Sequence, residues 1–449
     1  MMCRRCLLVL ISLFCILFGR FTDTTMAAME EVTSRGISDD QPIFGSSKDT
    51  TSPRLVANRL DHVAAPDSAT AREPMTAQHP DGTIFVSGYG SKYETAPPQT
   101  VPRLWKSVDR GQTWSTVNVG TEADGATGNS DVSLAIAPDG TLYFATMTFN
   151  RQTFEGSQIN VGVSQDVGKT WHWTLLSKKR FDDRPWVAVA PDGTAHVIWN
   201  DDSGVYHSFS RDRGTQWSAP EVIHSKGGSS HLAIGPNGEI SVRITPVSAS
   251  GNKYEEGVDL IAISTDGGST WQERQVPGKR DWAPMGAPGA IPRWVEPLAW
   301  DATGALYLLW TDIRGVWLAR STDLGVRWNM SMIAEADALS YYPYLTARGS
   351  GELAATWFSG AGANLQWQAC RIHMSDRGEL HLIRSPLLTI DSWSVRDAHG
   401  NGNLPTRDTA GEYLAVLFLR DGSLAVVSPI QNAAEKRFGF SFWTFSSGQ

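Results

Sequence analysis

The fold of this 449-residue chain is decided by a short stretch, SVDRGQTW, that runs from Ser107 to Trp114. The clear further copies are SQDVGKTW (164–171), SRDRGTQW (210–217), STDGGSTW (264–271) and STDLGVRW (321–328), and a degenerate copy is MSDRGELH (374–381). The aspartates of the clear copies recur every 46 to 57 residues. That period is expected of propeller blades rather than of helical arrays.

The residue types of this motif indicate a tight turn. Ser and Asp side chains can bond to nearby backbone N–H groups, and Gly supplies a positive φ. Trp then packs its ring onto the blade. The motif aspartates are therefore expected to be structural; they are Asp109, Asp166, Asp212, Asp266 and Asp323.

A second element precedes each motif. It consists of a short apolar strand, a Gly-containing turn and an alternating strand, which is the signature of a β-hairpin. The copies begin at EPMTAQHPDGTIFVSG (73), DVSLAIAPDGTLYFAT (131), RPWVAVAPDGTAHVIW (184), SHLAIGPNGEISVRI (230), EPLAWDATGALYLLW (296), YPYLTARGSGELAATW (342) and GEYLAVLFLRDGSLAVV (411). These hairpins predict an all-β propeller of four-stranded blades, with seven blades favoured over six. A segment near Leu55 to His62 is expected to supply an outer strand that closes the ring.

The beginning of the chain has a different composition. Residues 1–28 combine Arg4 and Arg5 with an apolar run from Leu7 to Gly19, which predicts a signal peptide and a secreted or periplasmic protein. Residues 29–62 are predicted to be a polar leader that includes the ring-closing strand, and residues 63–449 the propeller. After signal removal Cys370 is the only cysteine, so a disulfide within the chain is excluded.

Charge narrows the function classes. The formal net charge is −8, and no cluster of Lys and Arg stands out, which argues against nucleic-acid binding. The apolar run near the start is too short to span a bilayer comfortably. We therefore expect no stable membrane span after signal removal. We also expect a monomer that requires no cofactor.

The repeated S-x-D-x-G-x-T-W motif resembles the Asp boxes of the sialidase superfamily, also called BNR-repeat proteins. The resemblance covers about residues 63 to 446. It is specific for the propeller and much less specific for chemistry, because glycosidases, lyases and non-catalytic binding propellers share the motif. The function must therefore be argued from a site.

Strand direction indicates where that site lies. If the strands of a blade are A to D, the A–B turn and the C–D motif lie at one face. The residues before strand A and the B–C loop lie at the other, around the mouth of the central channel. Those entrance residues are Arg72–Glu73, Asn129–Asp131, Asp182–Arg184, Ser230–His231, Arg293–Glu296, Tyr341–Tyr342 and Arg407–Asp408.

The resemblance implies roles for several entrance residues. Sialidases hold the carboxylate of an acidic sugar with converging arginines, and the candidates here are Arg72, Arg184, Arg293 and Arg314. In that family a Tyr assisted by a Glu is the nucleophile. Tyr342 and Glu296 stand at adjacent entrances and are expected to form this pair, because a phenol needs a neighbouring base.

The remaining candidates complete a sugar site. Asp131 or Asp183 is expected to protonate the leaving oxygen. Trp186 and Trp294 lie beside entrance residues and can stack on a sugar face. Glu73 and His231 are further candidates for binding the substrate.

The hypothesis from the sequence is a secreted exo-α-sialidase-like glycoside hydrolase that acts on an acidic sugar or glycoconjugate. Two alternatives stay open. The loop GYGSKYETAPPQT offers Glu94 where the family carries an Asp, and AREPM stands where it carries Arg-Ile-Pro, which favours a non-catalytic propeller that binds glycan or protein. A propeller-fold polysaccharide lyase would use a Tyr and His231 as acid and base.

Overall fold

A computed structural model describes residues 53–64, 71–90, 100–150, 152–153, 155–246, 257–278, 280, 295–312, 314–335, 340–360, 366–389, 412–432 and 437–447. Within these ranges the strands form seven antiparallel sheets, each with four strands along its main path. The A strands of neighbouring blades contact one another around the central axis. The chain is therefore a seven-bladed β-propeller, and the prediction of seven blades is confirmed.

In blades 1 to 6 the strands follow one another in the chain, from strand A at the axis to strand D at the rim. Blades 1 to 3 consist of Arg72–Gln78, Ile84–Tyr89, Arg103–Ser107, Ser115–Thr116; Val132–Ile136, Leu142–Asn150, Glu155–Ser164, His172–Ser177; and Asp183–Val189, Ala195–Asp201, Gly204–Ser210, Glu221–His224. Blades 4 and 5 consist of Gly228–Ile234, Ile240–Thr245, Leu260–Ser264, Gln272–Gln275; and Leu298–Trp300, Leu306–Asp312, Gly315–Ser321, Asn329–Glu335. A single turn of 3-10 helix, Glu122–Asp124, lies between blades 1 and 2.

The last two blades complete the ring. Blade 6 consists of Ser340–Arg348, Glu352–Ser359, Gln366–Met374 and Leu380–Arg384, with the short strand Leu388–Thr389 also paired to its third strand. Blade 7 consists of Val416–Phe418, Leu424–Asn432, Arg437–Ser447 and, as its outer strand, Leu55–Ala64. That first strand pairs antiparallel with the last one, from Leu55 opposite Ser447 to Ala64 opposite Phe438. The start and the end of the propeller are thus held in one sheet.

The core lies between the blades. Alternate residues of a strand point to opposite faces, so one strand can serve two interfaces. In strand B of blade 2, Leu142 and Phe144 pack toward blade 1, whereas Tyr143 and Ala145 pack toward blade 3. Both faces of this strand are buried, so apolar residues stand at consecutive positions instead of alternating as the hairpin pattern predicted.

The Asp boxes are closed turns between strands C and D. In the first box the Ser107 hydroxyl donates to Asp109 Oδ1 at 2.8 Å and accepts from Gly111 N at 2.7 Å. Asp109 Oδ1 also accepts from Thr113 N at 2.8 Å. The Thr113 hydroxyl donates to Asp109 Oδ2 at 2.5 Å, and this hydrogen bond, followed by those from Thr113 N and Ser107, lowers the pKa of Asp109 to about 2. The carboxylate is therefore held by its own turn, as a structural group would be.

Each box also contacts the blade before it. Trp114 packs edge-on against Phe440 and Phe442 of blade 7, with ring centroids 5.0 and 5.3 Å apart. Gly111 has φ +85°, and a Cβ at this position would overlap the Phe442 ring. The box glycine therefore provides both the turn conformation and the close approach of two blades.

This contact predicts that Gly111→Ala destabilises the protein more than the same change at an open turn. Gly193 has a similar φ of +89°, but a Cβ there meets no atom within 4 Å. Gly193→Ala should cost about 1–2 kcal/mol from its left-handed conformation alone. Gly111→Ala should cost about 1–3 kcal/mol more, because Phe442 must move. Urea unfolding of both variants measures the difference, and equal losses would contradict the packing role.

Candidate functional site

Three blades start with a strained residue before a proline. Glu73, Arg184 and Tyr342 have φ of 48°, 50° and 47°. Each stands where strand A changes register against strand B, and the following proline has no N–H to pair. Non-glycine residues in this region cost of order 1–3 kcal/mol and are often found at functional sites. In each of blades 1, 3 and 6 the bulge therefore places the side chain of this residue at the entrance.

Side chains from three blades meet across the mouth. Arg184 Nη2 of blade 3 lies 3.7 Å from Glu412 Oε2, which precedes strand A of blade 7. Glu412 N donates in turn to Glu73 Oε1 of blade 1 at 3.0 Å. Arg72 Nη2 lies 3.9 Å from the same Glu73 oxygen. Glu412 thus connects two entrances that the sequence placed on separate blades.

Two tyrosines add hydrogen bonds to this group. Tyr413 OH donates to Asp131 Oδ2 at 3.2 Å, and the Tyr89 phenol is hydrogen-bonded to the Glu73 carboxyl. We refer to the whole group as the mouth cluster, which consists of Arg72, Glu73, Tyr89, Asp131, Asp183, Arg184, Glu412 and Tyr413. It contains four carboxyl groups against two guanidinium groups. The cluster is therefore anionic when its carboxyls are ionised.

The carboxyl of Glu73 is buried, with its side chain 4% exposed. Burial, followed by the nearby charge of Asp131, raises the pKa of Glu73 from 4.5 to about 8. Glu412 acts in the same direction, whereas Arg72 and the Tyr89 hydrogen bond oppose the rise. A neutral carboxyl beside another carboxyl group is the arrangement that general acids use at neutral pH. Glu73 therefore has the properties of a proton donor.

The guanidinium of Arg184 already lies beside carboxylates of the chain and is not available to bind the carboxylate of a substrate. Although burial alone would lower the pKa of Arg184, the charges of Glu412 and Asp183 raise it above its ordinary value. Asp183 Oδ2 lies 3.8 Å from Arg184 Nε, and Asp183 Oδ1 accepts from Arg184 N at 3.0 Å. The positive charge of Arg184 is thus already balanced by carboxylates.

Glu296 is held by two buried arginines. Arg243 Nε and Nη2 donate to Glu296 Oε2 at 3.0 and 2.6 Å, and Arg280 Nε donates to Glu296 Oε1 at 2.8 Å. The Arg243 and Arg280 side chains are both 0% exposed, and Arg243 also donates to Asp259. Both carboxylate oxygens are therefore engaged by guanidinium groups.

The expected pairing of Tyr342 with Glu296 is not formed in this structure, since no side-chain hydrogen bond of Glu296 within the described ranges goes to Tyr342. Tyr342 is buried, and its ring packs against Tyr341 and Phe358 at 5.6 and 6.4 Å between centroids. The Tyr–carboxyl pairs that form at the mouth among the described residues are Tyr413 with Asp131 and Tyr89 with Glu73. The proposed roles of Tyr342 and Glu296 stay predictions.

The other arginines differ in their surroundings. Arg314, in the B–C loop of blade 5, is 65% exposed at its side chain, with its Nη2 2.9 Å from Asp312 Oδ2 and its guanidinium over the Trp317 ring. Arg72 stacks on Tyr89 at 5.3 Å. Arg293 and Trp294 lie outside the described residues, as do the entrance residues Arg407 and Asp408.

Beneath the mouth, side chains from five blades contact one another across the channel; we call them the channel group, and they are Met75, Trp186, His231, Tyr344 and Tyr413. Trp186 contacts Tyr413 and His231 with centroids 5.2 and 4.8 Å apart, and His231 contacts Tyr344 at 5.6 Å. Tyr344 OH lies 3.7 Å from Met75 Sδ. Trp186 and His231, expected to bind substrate at the entrance, are thus part of the packing that crosses the channel.

Five residues of the site were missed in the sequence: Tyr89, Arg243, Arg280, Glu412 and Tyr413. Tyr89 and Arg243 stand in B strands, and Arg280 follows a D strand, so the search for residues before strand A passed over them. A signal for Glu412 was present. Glu412 begins the run EYLA, which matches EPLA at Glu296. Aligning these two hairpins would have placed Glu412 at the blade 7 entrance.

Among the residues that the structure describes, no helix is long and apolar enough to cross a membrane. No group of three His, Cys, Asp or Glu side chains in these ranges could hold a metal ion.

Comparison with known proteins gives only structural neighbours, since no family model and no curated protein matches the chain. YCF48 bound to D1 peptide is 12% identical at a TM-score of 0.46, with 90% of this chain and 96% of that chain covered. A protein of unknown function from Dyadobacter fermentans is 12% identical at a TM-score of 0.49, with 88% of this chain and 99% of that chain covered. The intramolecular trans-sialidase from Ruminococcus gnavus is 11% identical at a TM-score of 0.41, with 85% of this chain and 95% of that chain covered.

These matches carry no argument about activity. A turn of the S-x-D-x-G-x-T-W kind joins strands C and D in each of five consecutive blades. The chain is a seven-bladed β-propeller of four-stranded blades, as the resemblance of this motif to the Asp boxes implied.

Proposed function

We propose that this propeller is a sialidase-like glycoside hydrolase that cleaves the bond of a terminal sugar at the mouth cluster. The observation that carries the proposal is Glu73, a buried carboxyl with a pKa of about 8 beside Asp131 and Glu412. Glycosidases use a pair of carboxyl groups in which one is kept protonated while the other carries charge. The mouth cluster supports such a division of roles.

In the proposed reaction Glu73 donates its proton to the glycosidic oxygen as the bond from that oxygen to the anomeric carbon breaks. The positive charge that develops on the sugar ring faces the Asp131 and Glu412 carboxyl groups, which stabilise it. A water molecule then adds to the anomeric carbon and returns a proton to the Glu73 carboxylate. The products are the free sugar and an alcohol, with no oxidant or reductant needed.

The choice of an acidic sugar remains part of this proposal. The surplus of carboxyl groups in the mouth cluster disfavours a sugar carboxylate close to Glu73. We therefore expect an acidic group of the sugar to bind away from blades 1 and 2. The exposed Arg314 of blade 5 is the candidate to bind it. A sialoside and neutral glycosides distinguish these two substrate classes.

The test is hydrolysis of fluorogenic sialoside, galactoside and glucoside by the purified chain. We expect Glu73→Gln to lower turnover by about 10²–10⁴-fold, since the amide cannot donate an acid proton. The rate of the unmodified protein should fall above pH 8 as Glu73 ionises. Glu352→Gln, which removes a carboxylate paired with Arg348 away from the mouth, is the matched control and should keep full turnover.

Tyr342→Phe belongs to the same assay, because the family resemblance gives Tyr342 the role of nucleophile. Loss of turnover in Tyr342→Phe together with full turnover in Glu73→Gln would replace the proposed mechanism by the Tyr-based one. Full turnover in both variants would exclude both assignments.

A second candidate is a propeller that binds a glycan or protein without cleaving it. It is favoured by the pairing of Arg184 with Glu412 and of Glu296 with two arginines, because these charges are already satisfied within the chain. Absence of turnover on all glycosides, with binding on a glycan array, would support it. Release of an unsaturated product absorbing in the ultraviolet would instead indicate a lyase.

Export from the cytoplasm is also part of the proposal, on the composition of residues 1–28. The measurement is N-terminal sequencing of the protein recovered from the medium or periplasm. We expect a start close to residue 29, and an intact Met1 in the exported fraction would exclude cleavage.

A further inference from the structure

The face opposite the mouth holds a cavity of about 650 Å³, which we call the turn cavity because the A–B turns line it. The strand Arg72–Gln78 connects the two faces, since Glu73 belongs to the mouth cluster and Gln78 lines the turn cavity. Such a strand spans about 20 Å. The turn cavity is therefore distinct from the site of the proposed hydrolysis. Its volume lies within the range of small-molecule sites, about 300–1,000 Å³.

Equivalent positions of the seven A–B turns surround this cavity. In blade 2 the turn is closed by Gly140 N, which donates to Ala137 O at 2.9 Å, and Pro138 directly follows Ala137. The residues at the Pro138 position in blades 1 to 7 all line the cavity, and they are Pro80, Pro138, Pro191, Pro236, Ala302, Gly349 and Arg420. Arg420 is the single charged member of this ring.

Blades 2 to 4 give the cavity an apolar wall. The last residues of their A strands are Ile136, Val189 and Ile234, which line the cavity and are partly exposed. At the tips of the turns, Pro138 and Pro191 are exposed as well. Most of the accessible lining of the cavity is apolar. Accessible apolar surface in a concave position favours a ligand with an apolar body.

Blade 7 places a positive charge on the other side of the ring. Arg420 is exposed, and within the described ranges its side chain forms no ion pair and no hydrogen bond. Its backbone N donates to Gln78 Oε1 at 2.8 Å, which fixes the turn against blade 1. The adjacent carboxylate of Asp421 lies 3.3 Å from Arg110 Nη2 instead. The Arg420 guanidinium is therefore free to bind an anion, and its planar fork of donors suits a carboxylate.

The other ionisable side chains that line the cavity in the described part of the chain are already engaged. Arg348 Nε lies 2.7 Å from Glu352 Oε2. The His79 side chain is 11% exposed, and its Nδ1 accepts from Asp81 N at 3.1 Å. Asp301 is 2% exposed, and both of its carboxylate oxygens accept hydrogen bonds from turn residues. The charge that the cavity offers to a ligand is thus that of Arg420.

We propose that the turn cavity is a second binding site, for a small organic carboxylate with a compact apolar body. The carboxylate pairs with Arg420, and the body lies against the apolar wall of blades 2 to 4. Proline fixes φ in four of the turns, so this wall is largely formed before the ligand binds. The site is independent of the proposed hydrolysis, because it uses no residue of the mouth cluster.

The probe that tests the proposal is 2-naphthoate, which joins a carboxylate to a rigid apolar ring system. We expect saturable binding, measured by calorimetry at pH 7. The neutral 2-naphthamide has the same rings and should bind about 10-fold more weakly, because charge-assisted hydrogen bonds are the stronger ones. Acetate has the charge without the body and should show no saturable binding. Equal binding of 2-naphthamide, or no binding of 2-naphthoate up to millimolar concentration, would overturn the proposal.

Two arginine variants separate a specific site from a general attraction of anions. Arg420→Gln should lower 2-naphthoate affinity about 10-fold and leave 2-naphthamide affinity unchanged, since only the charged partner is lost. Arg327→Gln is the matched control, because the Arg327 side chain is 87% exposed, pairs with Asp323 and lies outside the cavity. It should bind as the unmodified protein does. Undiminished binding by Arg420→Gln, or an equal loss in Arg327→Gln, would overturn the proposal.

A third variant tests the apolar wall. Ile234→Gln replaces a partly exposed apolar side chain by a polar one and should weaken 2-naphthoate and 2-naphthamide alike. Undiminished binding of both compounds by this variant would place them elsewhere and contradict the site. Glu73→Gln should bind 2-naphthoate normally whatever its hydrolytic activity, so failure of the proposed hydrolysis and failure of this site are separate results.

Discussion

Replacing Arg243 by Met is expected to lower the free energy of unfolding by about 3–5 kcal/mol. The substitution keeps most of the apolar side-chain volume but removes the guanidinium that donates to Glu296, to Asp259 and to the carbonyls of Ile244 and Leu260. Breaking one side of a buried ion pair leaves its partners in a medium that penalises charge. Chemical denaturation of the two proteins measures the loss.

Arg348→Met is the matched control for this prediction. Arg348 also forms an ion pair, with its Nε 2.7 Å from Glu352 Oε2, but its side chain is 33% exposed. Partly exposed pairs contribute about 1 kcal/mol or less. If Arg243→Met cost no more than Arg348→Met, the arginine pair around Glu296 would not be a stabilising element of blades 4 and 5.

Glu73→Gln is expected to change how stability depends on pH. Between pH 4.5 and about 8 the folded protein keeps a proton on Glu73 that the unfolded chain releases. The free energy of unfolding therefore falls as pH rises through this window, by about 1.4 kcal/mol per pH unit from this group. Gln stays neutral at every pH, so the variant should lose this slope and gain stability over the unmodified protein up to pH 8.

The measurement is a pair of denaturation series from about pH 5 to pH 9, each analysed as the difference from the unmodified protein. For Glu73→Gln the difference should grow with pH and level off above pH 8. For the control Glu352→Gln it should stay flat, because neighbouring arginines lower the pKa of Glu352 and it is ionised in both states across this range. A flat difference for Glu73→Gln as well would mean that Glu73 is not held protonated by the fold.

The blades could be predicted from the sequence because their signals are local. A Gly in the A–B turn and the Ser, Asp and Gly of a box act within a few residues of one another. Their hydrogen bonds, such as Gly111 N to Ser107 Oγ, confirm that reading. The ring follows from repeating such units, since each blade buries its faces against two neighbours.

The site was predicted less completely because its contacts join distant parts of the chain. Glu412 meets Glu73 across 339 residues, and Arg243 meets Glu296 across 53. The sequence placed Glu296 at the correct entrance, but nothing in it indicated that two arginines from outside the A strands would reach that carboxylate first. Which side chains pair at a channel mouth depends on which blades face each other.

The bulges at Glu73, Arg184 and Tyr342 show an intermediate case. Each is marked by a proline directly after the residue, and Glu296 has the same feature. The four X-Pro pairs are visible without a structure, yet a proline alone does not reveal the positive φ of the preceding residue. The common position was predictable, whereas the backbone conformation was not.

The pairing of Leu55–Ala64 with Arg437–Ser447 has a consequence for how a cell makes this protein. A ribosome adds about 5–20 residues per second, so the first strand waits on the order of tens of seconds for its partner to be synthesised. Until then it is an unpaired edge that other chains can join. A premature stop anywhere before Arg437 removes that partner permanently, so we expect shortened products to aggregate or be degraded rather than persist as partly active rings.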